Sequence, residues 1–351
     1  MADFSQYFKG KKILVSGGAG AIGCNLTAAL AKLDAKMVMV LDDFSSAQKW
    51  NVPSLPNVML IEDSVLDEIK LKRIFFEKPD YVFHLAAFFA NQNSVDHPEQ
   101  DLLVNGMGTL KLLEYSVLTG VDKFIYASSG CSIYGSNSPL PLKEEFMSLH
   151  LSSPYQITKM LGELYCNFFN HHYNLKVVKT RFFNSYGPGE IPGQYRNVIP
   201  NFIFWAMQKK TLPITGTGDE TRDFTYVGDI VDGLLRAASN DKAVGEDINL
   251  ASGKETKIID LANLINKLTN NKAGVKFVAK RKWDTKNRLC ASIKKASKLI
   301  GYSPNTTFEE GIKNAIAWFK ANWDKIEKDA DFPPGMSSAV RDFQSDKKKK
   351  K

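Results

Sequence analysis

Residues Lys12 to Ser16 form a short apolar run that breaks into Gly17-Gly18-Ala19-Gly20-Ala21-Ile22-Gly23 and then into the helical pattern Cys24-Asn25-Leu26-Thr27-Ala28-Ala29-Leu30. A buried strand, a turn with glycines at 17, 20 and 23, and a helix form the order that a dinucleotide-binding βα unit requires. Glycine there permits the tight turn, lets the backbone come close to a pyrophosphate, and lets the helix lie on the strand. Phosphates beside Gly20, Ala21, Ile22 and Gly23 would face the positive end of the helix. An ordinary strand-to-helix turn can carry as many glycines. The strand before and the helix after favour the dinucleotide.

A second strand, Met37 to Leu41, ends in Asp42-Asp43. An acid about 20 residues past the loop is placed to accept from both hydroxyls of the adenosine ribose, and it would repel a 2′-phosphate. The expected cofactor is therefore NAD rather than NADP. Val58 to Ile61 repeats the strand-then-acid pattern and leads into Asp63-Ser64-Val65. Asp63 is a candidate to receive the adenine amino group, with helix N-capping an equal alternative.

Tyr155 and Lys159 stand four apart in Ser-Pro-Tyr-Gln-Ile-Thr-Lys, so on a helix they share one face. A lysine cation close to a phenol favours the phenolate and lowers its pKa from about 10. Such a base can take a proton from a sugar or alcohol hydroxyl while a nicotinamide takes the hydride.

Alternating short apolar strands and amphipathic helices run from Lys12 to about Asn184, which predicts an α/β fold with a parallel sheet flanked by helices. Strand candidates include Tyr81–Leu85, Lys123–Ala127 and Lys176–Thr180. After Pro188 the composition turns to Gly and Pro, as in a loop-rich cap. At 351 residues the chain can hold one doubly wound domain and a smaller one. No apolar run approaches the roughly 20 residues of a membrane span, and the N-terminus lacks a signal-peptide core. Cys24, Cys131, Cys166 and Cys290 lie far apart, which fits reduced thiols of a cytoplasmic protein. The five histidines show no ligand spacing, so no metal is expected. Five of the charges in the net +8 are the run Lys347–Lys351, and +3 remains without them. That excludes a dedicated nucleic-acid role and reads as a solvated tail.

The glycine turn is joined by His84-Leu85-Ala86-Ala87, Asn105-x-x-Gly108, Tyr126-Ala-Ser-Ser129, Ile133-Tyr-Gly135, Tyr155-x-x-x-Lys159, Arg181-Phe-Phe-Asn184-x-Tyr-Gly-Pro188 and Arg222-Asp-Phe-Thr-Tyr-Val227. In this order, over roughly residues 10 to 320, the chain resembles the extended short-chain dehydrogenase/reductases of the nucleotide-sugar epimerase/dehydratase family, whose best-known member is UDP-glucose 4-epimerase. The resemblance implies a Rossmann-type doubly wound sheet with a smaller, discontinuous α/β substrate-binding domain. The NAD-binding domain would span 1–185 plus about 226–255, the nucleotide-sugar-binding domain 186–225 and 256–335, and a disordered Lys-rich tail 336–351. It also implies a homodimer through helices at about 154–173 and 99–119.

By the same resemblance Tyr155 is base and acid, and Lys159 holds the nicotinamide ribose. Gly17, Gly20, Ala21, Ile22, Gly23, Asp42, Asp43, Asp63, Ser64, Leu85, Ala86, Ala87 and Asn105 surround the cofactor. The family's catalytic Ser or Thr falls on Gly130 here, a departure. Ser132, or else Ser129, is expected to replace it, Ser132 first because alternate residues of an extended segment share a face. Family dehydratases resemble Thr-Asp-Glu in this segment, whereas this chain has Cys131 and Ser132, which disfavours dehydration and decarboxylation. Cys131 itself is an alternative acid/base, with structural packing favoured. Asn184, Arg222, Arg281 and Asp284 match diphosphate and nucleotide contacts, Val198 the base pocket, and Asn93 with Ser129 and Tyr155 the sugar. The resulting expectation is an NAD-dependent nucleotide-sugar 4-epimerase, with a 4-dehydrogenase or reductase as the alternative.

Overall fold

Ile13–Val15, Val38–Leu41 and Phe124–Ala127 carry no charged side chain and are wholly buried, the signature of strands covered on both faces. The computed structural model describes residues 3–135, 137–280, 286–330 and 332. Within it, strands β1 (Lys12–Ser16), β2 (Met37–Asp42), β3 (Val58–Glu62), β4 (Tyr81–His84), β5 (Lys123–Ser129), β6 (Val177–Phe182) and β7 (Asp247–Leu250) form one seven-stranded sheet. Its order is β7-β6-β5-β4-β1-β2-β3, and every pairing is parallel. The fold is the Rossmann-type doubly wound sheet. The direction of winding reverses between β1 and β4, so a crevice opens at their carboxyl ends.

Helices α1 (Ala21–Lys32), α2 (Glu68–Phe76), α3 (Gly108–Thr119), α4 (Pro154–Tyr173), α5 (Val198–Met207), α6 (Val227–Ser239), α7 (Ile258–Leu268) and α8 (Phe308–Ala321) complete the layers. One face of the sheet packs Leu26, Leu30, Ile230 and Leu234 from α1 and α6. The other packs Leu71, Phe75, Leu112, Cys166 and Phe169 from α2, α3 and α4. A third core joins Phe202, Ile203, Leu212, Leu261, Ile265, Ile312 and Phe319, where α5, α7 and α8 close over the sheet's carboxyl edge. The chain enters this cap after β6 and comes back through α6 and β7. The expected tail, 336–351, lies outside the described residues.

The helix start after β3 separates two readings of the acids there. Asp67 caps α2, its Oδ1 accepting from Lys70 N at 2.8 Å. Asp63 is not the cap; it accepts from Ser64 N at 2.8 Å and pairs with Lys70 at 3.1 Å. Among the described residues no helix is long and apolar enough to cross a membrane. The same residues hold no cluster of three or more metal-ligating side chains.

His84 closes β4 beneath the crevice. Its ring lies between Ser16 Oγ, 2.7 Å from Nδ1, and Thr109 Oγ1, 2.9 Å from Nε2. Full burial holds its pKa down to about 3, helped by the nearby Lys159 charge. The folded pKa thus lies below the ordinary 6.5, so the unfolded chain binds the extra proton in between. Stability from this group is present above about pH 6.5 and falls as pH drops toward 3. His84→Gln is expected to flatten the loss of stability between pH 7 and pH 4.5, measured by urea denaturation of both proteins; parallel curves would refute the assignment.

Candidate active site

The glycine turn is held shut by the protein and open toward the crevice. Gly17 sits at φ +73°, and a Cβ there would meet Ala86 N at 2.5 Å; a Cβ on Gly23 would meet Gly17 O at 2.1 Å. Both glycines are therefore required by backbone packing. Gly20 differs, since a Cβ there would meet only Gly17 O, at 3.4 Å. α1 begins with no side-chain cap, leaving its first N–H groups to the crevice. Asp42 ties the turn to β2, accepting from Ala19 N at 2.9 Å and Phe44 N at 3.0 Å. Each of its oxygens keeps a second lone pair for a ribose hydroxyl.

These residues line a cleft of about 370 Å³ with Ala21, Ile22, Asp43, Asp63, Leu85, Ala86, Ala87, Ser129, Ser132, Tyr155 and Lys159. Ser64 and Asn105 are not in the lining. Ser64 Oγ accepts from Leu66 N at 3.2 Å in a turn, and Asn105 Oδ1 accepts from Phe88 N at 2.8 Å, bracing the loop after β4 from below. Glu190 joins the lining unforeseen. It is 6% exposed, its Oε1 accepts from Asn197 Nδ2 at 2.7 Å, and its Oε2 has no partner among the described residues. Burial pushes its carboxyl up to about 7. A glycine cradle, an acid at the ribose position and a buried polar atom without a partner fit a dinucleotide.

α4 starts cleanly because Ser153 caps it through Gln156 N, with Pro154 in the first turn. Tyr155 and Lys159 then share the face that meets β5. Lys159 is 3% exposed, donates to Ala127 O at 2.9 Å, and lies 5.8 Å from the Tyr155 ring centroid. The phenol does not show the lowered pKa expected from this neighbour. Burial pushes it up, with the Cys131 and Asp101 charges adding to the rise and a hydrogen bond with Ser129 offsetting part of it. Burial also lowers Lys159 to about 8, against the support of Asp101. Desolvation outweighs the favourable charges of Asp101, Cys166 and Glu163 at this depth.

The strand end shows why the family's hydroxyl position is glycine here. A Cβ on Gly130 would lie 1.9 Å from the Phe183 ring, so position 130 points into that ring and no side chain fits. Ser132 Oγ donates to Ser129 Oγ at 2.9 Å, and both hydroxyls line the cleft. Ser129 is the one that reaches Tyr155. Cys131 lies between them, its thiol pushed up by burial.

A second cavity, of about 290 Å³, lies between the sheet edge and the cap. It meets the cleft at Ala90, Asn91, Cys131, Asn184, Arg196 and Asn197. Asn184, Val198 and Arg222 line it, with Phe202 and Trp205 beyond them. Asn93 does not; its Nδ2 donates to Phe89 O at 2.8 Å, while Asn91 and Gln92 take the lining. Arg288 is exposed and paired with Glu255 at 2.6 Å. Arg281 and Asp284 fall outside the described residues. Arg196, Asn197, Gln156 and Lys286 are lining residues that sequence reasoning missed. The run Tyr195-Arg-Asn-Val198, polar just before an apolar helix, was the one signal for the first two.

The NAD dependent epimerase/dehydratase family model matches residues 13–251. The structure is similar to that of an epimerase from Methanothermobacter thermautotrophicus, with 53% identity and TM-score 0.93 over 94% of this chain and 98% of that one. UDP-glucose 4-epimerase of Mycolicibacterium smegmatis is 32% identical over 310-odd residues, covering 88% of this chain and 98% of its own. UDP-N-acetyl-alpha-D-glucosaminuronate decarboxylase of Bacillus cytotoxicus is also 32% identical, over 91% of this chain and 99% of its own.

Because the Phe183 ring occupies the space beside position 130, Gly130→Thr is expected to destabilise the protein by about 1–3 kcal/mol and to lower any turnover. Thermal denaturation checks this. An unchanged melting temperature would contradict the packing.

Proposed function

Because the chain belongs to the NAD dependent epimerase/dehydratase family, we propose that this NAD-dependent enzyme is a nucleotide-sugar 4-epimerase, its chemistry carried by Tyr155, Lys159 and Ser129. The supporting observation is their convergence in a dinucleotide cleft that meets, at Cys131 and Asn184, a second, amide- and cation-lined cavity. NAD, when bound, supplies the acceptor and donor of a hydride. Tyr155 takes the proton of the C4 hydroxyl, with Ser129, backed by Ser132, holding that oxygen. Lys159, supported by Asp101 and Ala127 O, supplies the positive charge that favours the phenolate. Asn184 and Arg222 retain the diphosphate while the keto-sugar turns its other face to where a hydride would be returned to C4, and Tyr155 gives the proton back to the C4 oxygen.

Elimination of water needs a paired acid and base beside the sugar. Cys131 and Ser132 stand at those places, and neither is a carboxylate. This favours epimerisation over dehydration and over the decarboxylation carried out by one of the relatives. Exposed Leu102, Leu103, Met107, Leu118, Ile157, Leu164 and Phe168 support a homodimer through α4, α3 and the helical segment Leu102–Met107 that leads into α3.

Incubation with UDP-, dTDP-, CDP- and GDP-sugars without added cofactor should yield an isomerised sugar and no lasting absorbance of reduced nicotinamide. A persistent reduced signal would reject epimerisation in favour of net oxidation. Tyr155→Phe should cut turnover roughly 10²–10⁴-fold while NAD stays bound, and near-normal turnover would remove the assigned base. Lys159→Met should shift the rising limb of kcat/KM against pH to higher pH, since the phenolate loses its cationic neighbour. An unmoved limb would detach Lys159 from the proton transfer.

A further inference from the structure

Among the described residues three cations, Arg196, Arg222 and Lys286, line the cavity beside the cap, against one carboxylate, Glu220. Glu220 is already held by Gly218 N at 2.9 Å, Thr217 Oγ1 at 3.3 Å and Lys280 at 3.9 Å. Arg196 feels Glu190 and Asp42 on the cleft side, and Arg222 donates to Thr221 O at 2.8 Å.

Lys286 has a different surrounding. It is half-buried, and its Nζ donates to Cys131 O at 2.8 Å. Among the described residues no carboxylate pairs with it. Burial lowers its pKa, the neighbouring Arg222 lowers it further, and the Cys131 thiol is the one group working the other way. Keeping an ammonium in such a place is costly unless a ligand neutralises it.

Its position says which part of a ligand that is. Cys131 belongs to both cavities and is close enough to Tyr155 to affect the phenol. Lys286, bonded to Cys131 O, therefore stands on the side of the cavity that meets the reacting end. A hydroxyl there could accept one of its two remaining N–H groups but would leave the charge uncompensated.

We infer that Lys286 reads a carboxylate on the sugar ring, so that the preferred substrate is a nucleoside diphosphate hexuronate rather than a neutral hexose. This rests on the second cavity being the nucleotide-sugar site. The diphosphate goes to Arg222 and Asn184, and the sugar carboxylate goes to Lys286.

The test is calorimetric binding to the NAD-loaded protein, using UDP, UDP-glucose and UDP-glucuronate and the corresponding dTDP compounds. With at least one base, the glucuronate should bind about tenfold more tightly than the glucose. Lys286→Met should remove that preference, and Lys286→Arg should keep part of it and the wild-type melting curve. Equal affinity for the acid and neutral sugars with both bases would overturn the inference. So would a loss in Lys286→Met that is as large for the bare diphosphate as for the hexuronate, which would make Lys286 a phosphate ligand. Since binding is read without turnover, a protein that selects the hexuronate yet isomerises nothing would sink the epimerase reading alone.

Discussion

A fully buried ion pair between Arg181 and Glu163 holds the reacting helix against the sheet. Arg181, next to last in β6, donates to both Glu163 oxygens, Nε at 2.9 Å and Nη2 at 2.7 Å. The same guanidinium reaches Asp247 on β7 at 2.9 Å, Tyr134 Oη at 3.1 Å and Glu144 O at 2.8 Å. Glu163 lies one turn beyond Lys159 and two beyond Tyr155 on the same face of α4, and it also receives Ser128 Oγ at 2.5 Å. One fork of donors thus sets the register of α4 against β5, β6 and the loop after β5. Removing one partner of such a pair typically costs about 3–5 kcal/mol. A bidentate pair also fixes direction, which an apolar contact does not. Placing Tyr155 and Lys159 depends on that direction.

Dryness is the second constraint, and it acts on every titratable group near the reacting atoms. It keeps His84 neutral, raises the Tyr155 phenol and lowers Lys159. The same low polarity strengthens each remaining dipole and charge. Asp101 supports Lys159 through space and holds Thr158 Oγ1 at 2.7 Å and Asn105 Nδ2 at 2.8 Å. Asn105 in turn braces the loop after β4. The acid–base pair is therefore tuned by residues on three elements, and the helix spacing of Tyr155 and Lys159 alone overstated the ease of forming phenolate.

Much of this was legible in the sequence because it is local. The strand, glycine turn and helix at 12–30, the acid at Asp42 and the Tyr155–Lys159 spacing are set by short-range geometry, where period and glycine sterics decide. Strand ends were less legible: β5 runs to Ser129 and β6 to Phe182, each past its apolar run, because neighbouring strands continue the ladder. Asn93 and Asn105 were assigned to ligands because exposed amides and buried ones look alike until their partners are known.

What the sequence determined alone is a parallel sheet flanked by helices, its dinucleotide turn and a phenol–lysine pair on one helical face, since each follows from the periodicity of local segments. What only the tertiary structure decided is what fills the space around that pair. Phe183 excludes a side chain at Gly130, Ser129 reaches the phenol, and Lys286 arrives beside Cys131 from 155 residues away. Contacts between distant segments carry no period, so they exist only once the sheet and the cap have closed on each other.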